Sequence, residues 1–340
     1  MYLVLIAALI AGFYVGWNIG SNDAANAMGV PVGGRIISYR RAVTIMILFV
    51  ILGAVLEGWK VMETVGQGIV VSPEVGNPLV EMPEIAVIAL FSAGIWVSAA
   101  TFLKLPVSTS QAIVGSIIGS GVLLSFLNPV SAPSTSVEFG VLSEIGLAWV
   151  LTPVAAAVFA YVIYHAVGPL LRRIGSVTTL NRILGILVIS AGAFAAYSLG
   201  ANNVGAATAL VSVVVESGSA EIFWTPKMIG LFGGIALSVG VVTYSRGVMK
   251  TIGSGITNLG PTTAFAAQFA AAITVWVFTQ IGAPVSTSQA IVGGVAGVGL
   301  VKGTATISKG RLGKIGLAWV LTPSVSAVLT FIFGWMIIGG

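Results

Sequence analysis

The sequence predicts an all-α polytopic membrane protein made of two inverted-topology repeats of about five spans each, with broken or half helices at the midplane. Three observations predict it: a composition almost free of charge, a set of motifs that occurs twice, and a reversal of loop charge between the copies. Of 340 residues, 57% are hydrophobic and 7% charged, and the mean hydropathy is +1.06. Soluble domains carry about 25% charge, so a soluble enzyme of this size is excluded. A spanning helix needs roughly 20 apolar residues, and the length allows about ten of them with short loops. The formal charge of +5 is spread too thinly for a nucleic-acid surface and reads as orientation in the bilayer. No cysteine is present, which excludes disulfides, thiolate metal sites and cysteine nucleophiles. The first residues carry no basic segment, so they are expected to be a retained span rather than a cleaved signal.

The motifs establish the duplication. Pro106 to Gly115, PVSTSQAIVG, recurs unchanged as Pro284 to Gly293, and Ile145 to Pro153, IGLAWVLTP, recurs as Ile315 to Pro323. Gly20 to Asn26, GSNDAAN, corresponds to Gly200 to Ala206, GANNVGA, and Val61 to Ile69, VMETVGQGI, to Val248 to Ile256, VMKTIGSGI. The offsets are 178, 170, 180 and 187, and the order is kept, which divides the chain into repeats over 1–170 and 171–340. Apolar runs place spans at about 2–19, 42–57, 84–103, 107–126 and 145–168, then at about 183–200, 228–245, 262–281, 285–301 and 315–338.

With those spans, thirteen of the fifteen basic residues, Lys104 among them, fall on one side with no acid. The other side receives Lys60, Lys227 and nine Glu. The positive-inside rule makes the first side cytoplasmic and puts both termini outside. Equivalent loops have opposite charge: 30–41 carries three Arg, whereas 210–227 carries two Glu and one Lys. Likewise 127–144 carries two Glu, and 302–314 carries four basic residues. An odd number of spans per repeat requires this inversion, and inverted repeats build secondary transporters.

One charge remains, Asp23, inside the first apolar segment. An acid at membrane depth costs at least about 2.5–3.5 kcal/mol on insertion scales and is functional by default. Gly20, Ser21, Asn22 and Asn26 around it favour an unwound backbone lining a cavity. Carboxylate, amide and carbonyl oxygens are hard ligands suited to a small cation such as sodium, and a protonatable Asp also suits proton coupling. The second copy offers Asn202 and Asn203 without a charge, expected to face the first across a pseudo-twofold axis. In the PVSTSQA segments, a helix beginning at Pro106 or at Pro284 would aim free N–H groups and its positive end at one point. Ser108, Thr109, Ser110 and Gln111, with Ser286, Thr287, Ser288 and Gln289, would supply hydroxyls and amides for an oxyanion without Arg or Lys. The four-residue spacings Gly12/Gly16/Gly20, Gly115/Gly119 and Gly293/Gly297 read as close helix packing.

At these residues the sequence strongly resembles the inorganic phosphate transporter family, whose members move phosphate with sodium or protons. The marks are the Gly20 to Asn26 motif, its weaker copy at Gly200 to Ala206, and both PVSTSQAIVG segments. The resemblance covers essentially the whole chain. It implies an inverted-repeat fold, a phosphate site between the repeats, cation sites at the Asn/Asp motifs and a homodimer. Asn203 and Ala206 stand where the family has Asp and Asn, which concentrates ionic binding on the first half.

The expected function is sodium-coupled phosphate symport across the cell membrane by alternating access, with no cofactor beyond the co-transported sodium. Asn22, Asp23, Asn26, Asn202 and Asn203 are expected to hold the cations, and the eight PVSTSQA residues the anion. An anion beside Asp23 is repelled in a low dielectric unless cations bind with it. A proton-coupled phosphate or sulfate permease is the alternative within the family, and an anion channel the alternative outside it. An enzyme is not expected: the sequence has no paired-carboxylate or His-metal constellation and no Walker A lysine.

Overall fold

In lipid every backbone polar group must be bonded within the chain, and a sequence this apolar satisfies that requirement with helices. The structure, a computed structural model, describes residues 2–103, 107–127, 136–218, 223–256, 260–302 and 309–339. The first half contains α1 (Tyr2–Gly33), α2 (Tyr39–Gln67), the short α3 (Pro78–Glu81), α4 (Pro83–Phe102), α5 (Thr109–Leu127) and α6 (Phe139–Arg172). The second contains α7 (Val177–Leu199), which runs through a π-helical turn (Gly200–Val204) into α8 (Gly205–Ser217). Then follow α9 (Pro226–Ile256), α10 (Pro261–Gln280), α11 (Thr287–Lys302) and α12 (Lys309–Ile338). Among the described residues, nine helices are long and apolar enough to cross a membrane, and Thr287–Val301 is a shorter apolar helix. Ser38 and Ser176 cap α2 and α7, and Pro83 and Pro261 open α4 and α10, where a missing N–H costs nothing. The strands β1 (Val70–Val71) and β2 (Ser136–Val137) pair antiparallel and tie the end of α2 to the start of α6.

Close approaches give the helix directions. Tyr39 bonds to Ser245, Ile51 meets Gly234 and Ala54 meets Gly230, so the equivalent helices α2 and α9 run antiparallel. Contacts across the halves are also reciprocal. Gly115 lies against Pro323 and Gly293 against Pro153; Gly119 lies against Ala327 and Gly297 against Ala157. Gly20 meets the Leu237 backbone as Gly200 meets that of Val50. This exchange of partners is how two copies pack about a twofold axis. At Gly115 and Gly293 a Cβ would strike neighbouring backbone, so only glycine lets α5 reach α12 and α11 reach α6.

The structure bears on one question the sequence leaves open, whether the PVSTSQA segments cross fully or turn back, and changes two expectations. The open question concerns the hairpins. α4 starts beside the end of α2, where Asn77 bonds to Gly66, and α5 ends there, where Gly121 meets Val70 and Val137. Between these ends α4 descends along α1 only as far as the Asn22–Thr101 bond. Thus α4 and α5 form a hairpin entering from the Gln67 end. α10 and α11 form the counterpart from the Gly33 end, α10 rising along α7 to the Asn202–Thr279 bond. Among the described residues six helical rods run the length of the bundle (α7 and α8 being one), and between them Ser110 of the first hairpin meets Val285 of the second. Three full rods per half is still odd. Lys104, assigned by sequence to a cytoplasmic loop, lies outside the described residues, as does Pro106.

Of the changed expectations, the first is that α1 does not unwind at Gly20 to Asn26; it is helical from Tyr2 to Gly33. The polar side chains that compete with a helix are engaged here without breaking it: Ser21 donates back to Trp17 O at 2.8 Å, and Asn26 reaches the second half. Only the second copy departs from α geometry, in the π turn, a feature frequent at functional sites. Second, α5 and α11 begin at Thr109 and Thr287, three residues after the prolines. Ser108 and Ser286 cap them, accepting from the N–H of Gln111 at 3.4 Å and of Gln289 at 3.2 Å.

Candidate functional site

Asp23 sits on α1 where both hairpin tips and the π turn converge, and is 3% exposed. Its carboxylate is held from both halves. Asn26 Nδ2 donates to Oδ1 at 3.3 Å, and Asn203 Nδ2 donates to Oδ2 at 3.1 Å. Thr109 and Ser288 of the two hairpins also face it. Asn26 Nδ2 additionally reaches Ser288 Oγ at 3.0 Å, linking α1 to the start of α11. With its amide nitrogen committed to Asp23, Asn203 keeps a buried Oδ1 that has no partner. Among the described residues the one ion pair is Lys60–Glu57, so no cationic side chain answers Asp23.

A small cavity adjoins this carboxylate, lined by Asp23, Asn26, Ser198, Thr287 and apolar residues of α7 and α10. It has room for about one water-sized particle. That fits a dehydrated monatomic cation and is too small for a tetrahedral oxyanion. The oxygens present are hard donors, as a small alkali cation requires.

The thirteen residues singled out by sequence fall into four groups. Asp23, Asn26 and Thr287 line the cavity, while Asn203, Thr109 and Ser288 meet the Asp23–Asn26 pair beside it. Asn22 and Asn202 are at the tips instead. Asn202 donates to Thr279 Oγ1 at 2.9 Å and Ala283 O at 3.0 Å, and accepts from Val285 N at 3.0 Å. Asn22 donates to Thr101 Oγ1 at 2.5 Å, the equivalent bond in the first half. These two amides fasten hairpins rather than face the carboxylate. Ser108, Ser110 and Ser286 form the tip crossing: the two serines cap helices, while Ser110 Oγ donates to Val285 O at 2.8 Å and so ties one tip to the other. Gln111 and Gln289 point the opposite way, because a side chain two positions from Thr109 or Thr287 turns by about 200°. They line a chamber between α6 and α12 with Trp149, Trp319, Pro153 and Pro323, and both Oε1 atoms are buried without a partner.

Sequence reasoning missed three contributors. Trp149 Nε1 donates to Pro284 O at 3.0 Å, anchoring the second tip from α6; its place in a repeated motif was the available signal. Gln268 Nε2 donates to Ala27 O, and Ser198 lines the cavity; no repeat marks either residue.

Comparison with known proteins gives a consistent result. A model of the phosphate transporter family matches the chain twice, over residues 19–184 and 171–330. The chain is 30% identical to "Putative phosphate permease TK2061" of Thermococcus kodakarensis, covering 99% of this chain and 98% of that protein. It is 32% identical to "Putative phosphate permease MJ0630" of Methanocaldococcus jannaschii, covering 97% and 96%. A solved structure, "The sodium-dependent phosphate transporter", superposes with a TM-score of 0.82 at 27% identity, covering 98% of this chain and all of that one.

Proposed function

The chain belongs to the phosphate transporter family, and from that premise we propose that it is a secondary active symporter coupling inorganic phosphate to sodium. The observation that carries the reading is the Asp23 carboxylate, buried between the halves with no basic partner among the described residues and beside an ion-sized cavity. A lone carboxylate in low dielectric is unfavourable unless a cation compensates it. Asp23, Asn26, Asn203 Oδ1, Thr109 and Ser288 supply oxygens for sodium, with Asn22 and Asn202 holding the tips that close the site. The structural neighbour is a sodium-dependent phosphate transporter, which supports the choice of ion.

Phosphate binds where α5 and α11 start, against the positive helix ends and the hydroxyls of Ser108, Thr109, Ser110, Ser286, Thr287 and Ser288, with Gln111 and Gln289 at its far side. Each ligand lowers the electrostatic cost of the other, so coupling is reciprocal. The cavity beside Asp23 is too small for the anion, so the hairpins separate when phosphate enters, in an alternating-access cycle about the pseudo-twofold axis. In the cell membrane the Gly33 end, with Arg35, Arg40, Arg41, Arg172, Arg173 and Arg182, is cytoplasmic, and both termini are outside. Residues 1–170 and 171–340 are the inverted repeats, and the protein works as a homodimer in the bilayer.

Labelled-phosphate uptake into proteoliposomes, with sodium and proton gradients imposed separately, tests the reading. Sodium-driven accumulation that sulfate does not inhibit is expected. A second reading, proton coupling, draws on the same Asp23, since a proton compensates the carboxylate as a cation does. Uptake driven by the proton gradient alone would establish it.

A further inference from the structure

Glu57 and Lys60 sit on α2, within its span, and make a partly exposed polar cluster at the tip of the second hairpin. Glu57 Oε1 accepts from Tyr197 Oη at 2.7 Å and from Trp276 Nε1 at 3.4 Å. Its Oε2 accepts from Gln280 Nε2 and lies 3.5 Å from Lys60 Nζ. Lys60 Nζ in turn donates to Gln280 Oε1 at 2.6 Å. Both polar ends of Gln280, the last residue of α10, are therefore held by α2. Two residues on, Gly282 adopts a φ of +71° and lies against Lys60 O and Thr64. A left-handed glycine is what allows the chain to turn this close to α2.

Among the described residues, the pseudo-equivalent place in the other half shows different side-chain chemistry. By the repeat offsets, Glu57 corresponds to Tyr244, Lys60 to Gly247 and Gln280 to Phe102. There Trp17 donates to Thr243 Oγ1 at 2.9 Å and its ring tilts against Tyr244, while Phe102 and Leu103 are 78% and 67% exposed. Two hairpins that sequence made nearly alike are thus fastened differently. The second tip, held by Asn202 and by the α2 cluster, lies between the Asp23 cavity and the Gln67 end.

We propose that Glu57, Lys60 and Gln280 form a latch that closes the second hairpin at the Gln67 end, and that its release opens the Asp23 site to that side. This rests on the symporter reading above. The pair is partly exposed, at 19% for Glu57 and 24% for Lys60, so the contact is not locked in the packed core and can part as the tip leaves α2. An alternating cycle needs such a contact to be breakable, and needs it on one side at a time.

The absence of cysteine makes the test clean. Ala271→Cys places one thiol on the cavity beside Asp23. In right-side-out vesicles a membrane-impermeant maleimide should label it at least about fivefold faster when Glu57→Gln is added. Equal rates would overturn the latch. A second arm does not depend on that variant: Lys60→Cys with Gln280→Cys is bridged by a short thiol cross-linker, and bridging is verified by peptide mass. Phosphate uptake should fall more than tenfold on bridging with a reducible reagent and return on reduction. Bridged protein that transports at the unbridged rate overturns the latch. Failure of uptake by the unmodified protein would instead sink the symporter reading, and maleimide labelling would still judge the latch.

Discussion

Asn203 of the second repeat donates its amide to the carboxylate of Asp23 in the first at 3.1 Å, and the two occupy equivalent positions 180 residues apart. The centre of the molecule is therefore a pair of matched side chains of which only one carries charge. Its consequences can be tested on each partner.

Asp23→Asn keeps the size of the side chain, exchanges one acceptor oxygen for a donor amide and removes the charge that calls for a cation. Sodium-driven phosphate uptake should fall by at least about 100-fold, while the protein still inserts and remains monodisperse in detergent. Full sodium-dependent uptake by this variant would remove Asp23 from the mechanism.

Asn203→Asp places a second carboxylate about 3 Å from the first, where like charges disfavour each other unless cations separate them. Uptake should then require more sodium and depend on it more steeply. An unchanged sodium titration would show that Asn203 lies outside the cation site.

Gln111→Leu and Gln289→Leu separate binding from structure. An apolar side chain of similar size removes a buried acceptor that has no partner, so stability should hold or rise, since such an atom costs about 1–3 kcal/mol. If these amides serve the anion, KM for phosphate rises at least tenfold in either variant. An unchanged KM would leave the chamber between α6 and α12 without a role in substrate binding.

Gly115→Ala and Gly293→Ala should destabilise alike, by about 1–3 kcal/mol each, because each Cβ strikes the backbone of an equivalent proline. Thermal unfolding in detergent compares them directly. A large effect at one and none at the other would mean the two interfaces are not equivalent.

Much of this was legible in the sequence, and the exceptions have physical causes. Composition, duplicated motifs and Asp23 were enough to read helices, repeats and a charged centre. The hairpins were not legible, because twenty apolar residues look the same whether they cross a bundle or turn back within it. The continuity of α1 went against local preference: Gly20, Ser21 and Asn22 weaken a helix, and contacts from the second half outweigh that weakness. Gln111 was grouped with Thr109 by sequence, yet helical rotation sends the two into different spaces. The Glu57 cluster left no mark in the repeat because Tyr244 and Gly247 stand at the positions equivalent to Glu57 and Lys60.

The reciprocal glycine contacts also bear on origins. α5 lays its glycine face on α12 of the other half, and α11 lays its own on α6. A single repeat alone would leave that face bare, with nowhere in its own chain to bury it. The smallest unit that completes this packing is a couple, each copy lending the other the surface it lacks.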